Sequence, residues 1–311
     1  MSLTEEDVEH LGGALLHLSS GELTVEIAPE IGGSVASFRM RNLEGVFDLM
    51  RPLSKAGRQS CDPASTAMFP MLPYANRIAN NRFDFGGHTY EFAPNSFGQP
   101  LNLHGTGWLS PWSVVTAESD AAELTLHYLK PGEPYGYSAS QRFKVTSDRL
   151  RVEIELRNLG HRAMPFGFGL HPWFYRHPDT QLRFEATHFW LENPEYLATD
   201  QISIPPELDF SRSCVLPRTW RNNCYSGWNG IAEILFPHSE FGLRIEADKI
   251  FGHIMLYCDP GQSVFCLEPQ THATGALNRL GQEATVDQGL VILQPEEAIA
   301  GAVSFIIFQT G

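Results

Sequence analysis

Apolar and polar residues alternate one by one along much of this chain. Leu23, Val25 and Ile27 are interleaved with Glu22, Thr24 and Glu26, and Leu124, Leu126 and Tyr128 with Glu123, Thr125 and His127. Leu243, Ile245 and Ala247 alternate with Arg244, Glu246 and Asp248. The clearest case sets Val152, Ile154 and Leu156 among Arg151, Glu153, Glu155 and Arg157. A period of two predicts strands with one buried and one wet face. Further apolar runs at 112–115, 254–258, 265–267 and 286–293 predict more deeply buried strands, and Asp259-Pro260-Gly261 predicts a turn between the second and third. Helical periodicity is confined to residues 4–11, with Thr4 as the cap. The 27 glycines and 21 prolines are spread as turn punctuation. With no repeat and no shift of composition, the pattern predicts one all-β domain over residues 1–311, an antiparallel sandwich or barrel.

Composition narrows the class of partner. A hydrophobic fraction of 42% supplies a real core, and a net charge of −14 argues against nucleic acid and anionic membrane as partners. The five cysteines are unevenly spaced, which fits reduced thiols in the cytoplasm better than a disulfide framework. The first ten residues lack a signal-peptide core, and the apolar run 299–308 has about half the length needed to span a bilayer. No H-E-x-x-H, Walker A, G-x-G-x-x-G or G-x-S-x-G motif occurs, and the histidines show no metal-ligand spacing. Neither a metal nor a cofactor is expected.

The candidate chemistry lies between the regular patterns. Phe265-Cys266-Leu267-Glu268-Pro269 is an apolar run closed by one carboxylate and a proline, which places Glu268 at the end of a buried strand. Gln270, Thr271, His272 and Asn278 follow as polar groups able to line a pocket. Residues 165–174 repeat the layout, with His171 before Pro172 and aromatic residues around it. A histidine and a carboxylate aimed into one pocket make an acid/base pair, and aromatic walls suit the C–H faces of a sugar. Asn76 and Arg77 are adjacent donors in the proline-bounded segment 70–78, suited either to a structural carboxylate or to ligand hydroxyls. His104 stands before Gly105 and Gly107, which permit close approach of a ligand or of another backbone, with Trp108 and Trp112 as an apolar wall. The stretch 221–230 reads as a polar surface loop.

Taken in order, Asn76-Arg77-Ile78, Gly86-Gly87, Tyr90, Asn95, Leu103-His104-Gly105, His171-Pro172-Trp173-Phe174 and Glu268-Pro269-Gln270-Thr271 resemble the aldose 1-epimerases, or galactose mutarotases, over residues 20–308. The resemblance implies a large antiparallel β-sandwich with a sugar in a cleft on one sheet. It implies Glu268 as general base, His171 as general acid, and Arg77 and His104 as sugar-binding residues with Asn76 beside them. Many members carry a sugar-binding aspartate where this chain has Asn222, which bears on sugar preference; the nearby Asp209 has no assigned place. The expected reaction is α/β anomer exchange of an aldose by ring opening and reclosure, with a small sugar as partner and the protein a monomer or homodimer. Three alternatives stay open: a hexose-6-phosphate 1-epimerase drawing on Arg77, Arg82 or Arg39, a non-catalytic sugar-binding protein, and a glycoside hydrolase, which would need a second carboxylate.

Overall fold

The computed structural model describes residues 13–43, 45–96, 98–236, 239–281 and 288–310. The helix expected at residues 4–11 lies outside the described residues. Two large sheets dominate, and every strand pairing in them is antiparallel. One has eleven strands, in the order Leu16–Ser20, Leu23–Ala28, Ser34–Asn42, Met68–Met71, Gly169–Tyr175, Val264–Gln270, His253–Cys258, Arg221–Ser226, His188–Glu192 and Ala198–Ile202, with Gly45–Asp48 added on Ser34–Asn42. The other has nine and is centred on Phe241–Ala247, Ala298–Gln309, Arg149–Asn158 and Tyr137–Val145.

The alternating segments supply the walls of the core. Val25, Leu124, Val152, Ile154, Leu243 and Phe305 join one buried cluster drawn from both sheets, while Arg142, Glu123 and Glu153 pair on the wet face of the nine-stranded sheet. The fold is therefore a β-sandwich built as the period-two pattern requires.

Three expectations are corrected. Ser113–Ala117 is the edge strand of the nine-stranded sheet, with Val114 and Val115 about half exposed (46% and 53%), because an edge strand has no neighbour to cover it. Of the run 286–293, only Val291–Leu293 is a strand among the described residues, and Ile292 is exposed. The polar stretch at 221 is no surface loop: Arg221–Ser226 is an interior strand of the eleven-stranded sheet, and Asn222 from it lines a cleft.

Candidate active site

The eleven-stranded sheet carries two central strands that each contain a proline. The register Gly169↔Gln270 and Trp173↔Cys266 sets His171 directly opposite Glu268. Pro172 and Pro269 fall in the same gap of this ladder, where each removes an N–H. Neither proline ends its strand. Pro269 still pairs with Ile254 and Pro172 with Met68, so Glu268 sits in mid-strand rather than at the strand end expected from sequence. Pro172 stands opposite Leu267 and Pro269 opposite Leu170, on the rungs either side of the His171–Glu268 pair, and the flanking ladders hold both strands in place.

The two side chains meet: His171 Nε2 lies 3.2 Å from Glu268 Oε1, with both residues buried. Phe69 stacks on the His171 ring at 4.4 Å, and the Trp173 ring lies 5.1 Å from it, tilted. Arg51 is fixed behind Trp173, its guanidinium 4.5 Å from the indole and donating to Ala64 O and Thr66 O. His171 Nδ1 and Glu268 Oε2 are buried without a hydrogen-bond partner. Such orphans are rare in finished interiors and common at binding sites. Burial pushes the Glu268 carboxyl up to about 8, with Arg77 drawing it back, and pushes His171 down to about 3. Both groups are thus driven toward their neutral forms by burial.

Two loops bring the remaining groups over this pair. Asn76 and His104 both adopt left-handed backbone conformations and clasp each other: Asn76 N–H donates to His104 Nδ1 at 3.0 Å, and His104 N–H donates to Asn76 O at 3.0 Å. An accepting Nδ1 leaves the His104 proton on Nε2, and burial keeps the ring neutral. His104 is therefore a fixed donor. Its loop is latched by Asn95, which donates to Leu103 O and Gly105 O and accepts from Leu103 N–H. The close approach that Gly105 permits is that of a backbone: a Cβ there would stand 2.4 Å from Leu72 O.

Arg77 completes the set. It donates to Gln99 Oε1 at 3.2 Å and lies over Tyr196, with Glu192 and then Glu268 as the acids that draw on it. Asn76, Arg77, His104, His171, Asn222 and Glu268 all line a single cleft of about 330 Å³, which the sequence had proposed residue by residue. Phe69, Trp108, Trp173, Tyr196, Trp220 and Tyr257 wall it.

Other expected pocket groups lie outside this cleft. Trp112 belongs to the core. His272 Nε2 accepts from Ala75 N–H, Thr271 Oγ1 from Phe168 N–H, and Asn278 Oδ1 from Ala79 N–H, so these residues brace the loops; Gln270 donates to Cys224 Sγ. Asp209 caps Ser211 N–H. Glu192, whose carboxylate accepts from the Asn222 amide, was missed. It belongs to an ordinary strand pattern, and only cross-strand register reveals it.

The fold and the cleft define a β-sandwich protein with a buried histidine–carboxyl pair in an aromatic-walled, polar-edged groove. The aldose 1-epimerase family model matches residues 14–305, and the chain belongs to that family. It is 34% identical over 264 residues to the uncharacterized protein YphB of Escherichia coli K12, covering 82% of this chain and 87% of that one. A solved Escherichia coli K12 structure offered as a candidate aldose 1-epimerase superposes with a TM-score of 0.87 at 31% identity, covering 96% of this chain and 99% of that one. A galactose mutarotase-like protein from Clostridium acetobutylicum shares the fold at a TM-score of 0.80 and 18% identity, covering 94% and 95%. Among the described residues no helix is long and apolar enough to cross a membrane.

Proposed function

We propose that this single-domain protein is a mutarotase, interconverting the α and β anomers of an unphosphorylated aldose in the cytoplasm. The observation that carries the reading is the 3.2 Å contact between His171 and Glu268 at the floor of a sugar-sized cleft. Anomer exchange needs a proton removed from the anomeric hydroxyl and one delivered to the ring oxygen. Passing the shared proton from Glu268 to His171 Nε2 creates the base and the acid in one step. Hydroxyls of the bound sugar and the nearby Arg77 favour the carboxylate so formed. Glu268 then takes the anomeric proton and His171 protonates the ring oxygen. The open aldehyde turns about C1–C2 and recloses with the roles reversed. His104 Nε2–H and Arg77 donate to sugar oxygens, and Asn76 stands beside them.

A neutral substrate is favoured by the charges. Arg77 is the one Lys or Arg side chain among the described residues lining the cleft. Arg39 is committed to Glu26 and Asp48, and Arg82 lies in the Arg82–Phe85 hairpin strand. Glu268 is likewise the one carboxyl group among those lining residues, which speaks against glycoside hydrolysis through a carboxylate pair. The free thiol state of all five cysteines accords with a reducing compartment.

The test is polarimetry on fresh α-D-glucose and α-D-galactose. Wild type is expected to accelerate mutarotation, with Glu268→Gln and His171→Asn each at least ~10²-fold slower while retaining the wild-type circular dichroism spectrum. Full activity in both variants would refute the assignment. Acceleration restricted to hexose 6-phosphates would move the protein to the phosphate-specific reading.

A further inference from the structure

We infer that Glu192 is a positioning residue that turns the Asn222 amide so that its oxygen alone faces the substrate, making Asn222 an acceptor for one sugar hydroxyl. The inference rests on the sugar-binding reading of the cleft and extends it to specificity. Strands His188–Glu192 and Arg221–Ser226 are neighbours, paired His188↔Ser226 and Phe189↔Tyr225, a register that carries Glu192 to Asn222. On the other edge of the same strand the pairing slips between Trp190 and Glu192, a bulge of the kind that re-aims a side chain. Glu192 Oε1 accepts from Asn222 Nδ2, and the Trp220 indole N–H lies 3.4 Å from Oε2.

The consequence for Asn222 follows from its inventory of donors and acceptors. An amide offers one oxygen acceptor and two N–H donors, and either end can point at a ligand. A carboxylate behind it accepts only, so it selects the amide orientation with nitrogen inward. Asn222 lines the cleft, and among the described residues nothing donates to its Oδ1. The exposed end therefore behaves as an acceptor, as a carboxylate would, without a full charge at the cleft wall. Arg77, on which Glu192 draws most strongly among the nearby acids, supplies a donor to the same region of the cleft. A hydroxyl can donate to Asn222 and accept from Arg77 at once. A carboxylate or phosphate group at this position could not donate to Asn222, and it would face Glu192 directly behind.

The experiment measures affinity for D-glucose, D-galactose and their monodeoxy analogues by quenching of Trp173 and Trp220 fluorescence, together with kcat and KM. Wild type is expected to discriminate against one deoxy analogue by about 10-fold, the worth of one oriented hydrogen bond in affinity. Glu192→Gln lets the amide turn over. It is expected to lose that discrimination and to raise KM about 5- to 10-fold with kcat within about 2-fold of wild type. The exchanged pair Glu192→Gln with Asn222→Asp restores one acceptor-only group at the wall and should recover KM. Unchanged discrimination in Glu192→Gln, or an exchanged pair as weak as the single variant, would overturn the inference. Should Glu192→Gln not fold, Glu192→Asp withdraws the acceptor without altering charge and is read the same way. Wild-type rates beside Glu268→Gln report on the mutarotase reading alone, so the two can fail separately; absence of sugar binding by wild type overturns both.

Discussion

Glu268 and His171 are each pushed by burial away from the charged form, and this has a measurable cost and a measurable use. The use, in the proposed reaction, is a proton passed between two groups 3.2 Å apart. Above about pH 8 Glu268 gives that proton up, leaving no acid for the ring oxygen. The free-enzyme profile, kcat/KM against pH, should therefore fall on its alkaline side with a midpoint near 8. The cost appears in stability. The folded chain holds the Glu268 proton up to about 8, whereas an unperturbed carboxyl of 4.5 releases it first, so stability from this group is lost as pH rises through that window. Glu268→Gln removes the burden. Its melting temperature should exceed wild type at pH 9, by an amount on the order of a few kcal/mol in stability, and the gap should close toward pH 4.5. His171 and His272, pushed down to about 3 and about 4, act in the opposite sense: below 6.5 the unfolded chain takes up their protons first, so acid destabilises both proteins alike through His272. A Glu268→Gln protein less stable than wild type at pH 9 would show that the carboxyl is not held neutral.

At the scale of elements, the site depends on loops seated against each other more closely than side chains allow. Gly105 has φ +66° and its missing Cβ would stand 2.4 Å from Leu72 O, whereas Gly87, with φ +77°, has nothing within 4 Å. Both alanine substitutions meet the left-handed penalty of about 1 kcal/mol, but only Gly105→Ala also forces the His104 loop off the 70–78 segment. Urea unfolding should show Gly105→Ala destabilised by about 2–4 kcal/mol and Gly87→Ala by about 1 kcal/mol, with loss of sugar affinity in the former only. The glycine-flanked histidine was visible in the sequence, but the identity of its close neighbour was not. The same division runs through the strands. Those with one wet face announced themselves by alternation, as at Val152, Ile154 and Leu156. Arg221–Ser226 did not, because three polar residues in succession, Arg221, Asn222 and Asn223, hide the alternation and read like a loop. Glu268 and His171 were readable as ionisable residues set against prolines. Glu192 was not, since its role comes from a cross-strand partner thirty positions away.

For the whole molecule, the charge distribution sets what can approach the cleft. The chain carries a net charge of −14, and its wet sheet face is largely self-neutralised by pairs such as Arg142 with Glu123 and Glu153, or Arg244 and Arg183 with Glu233. The excess of acid repels anions over about one Debye length, roughly 10 Å at 0.1 M salt, while a neutral sugar is indifferent to it. Within the cleft Arg77 is balanced by the acids on either side, Glu192 and Glu268, and offers no unopposed field for a phosphate. Raising ionic strength from about 20 mM to 500 mM should therefore leave KM for an unphosphorylated aldose within about 2-fold, since no charge is brought together on binding. For a hexose 6-phosphate, screening of the net negative field should lower KM as salt rises. Steady-state polarimetry at the two ionic strengths distinguishes these cases. A KM for the 6-phosphate that is lower than for the neutral sugar, and that rises with salt, would mean that Arg77 acts as a phosphate anchor despite its two acidic neighbours, and would overturn the assignment of a neutral substrate.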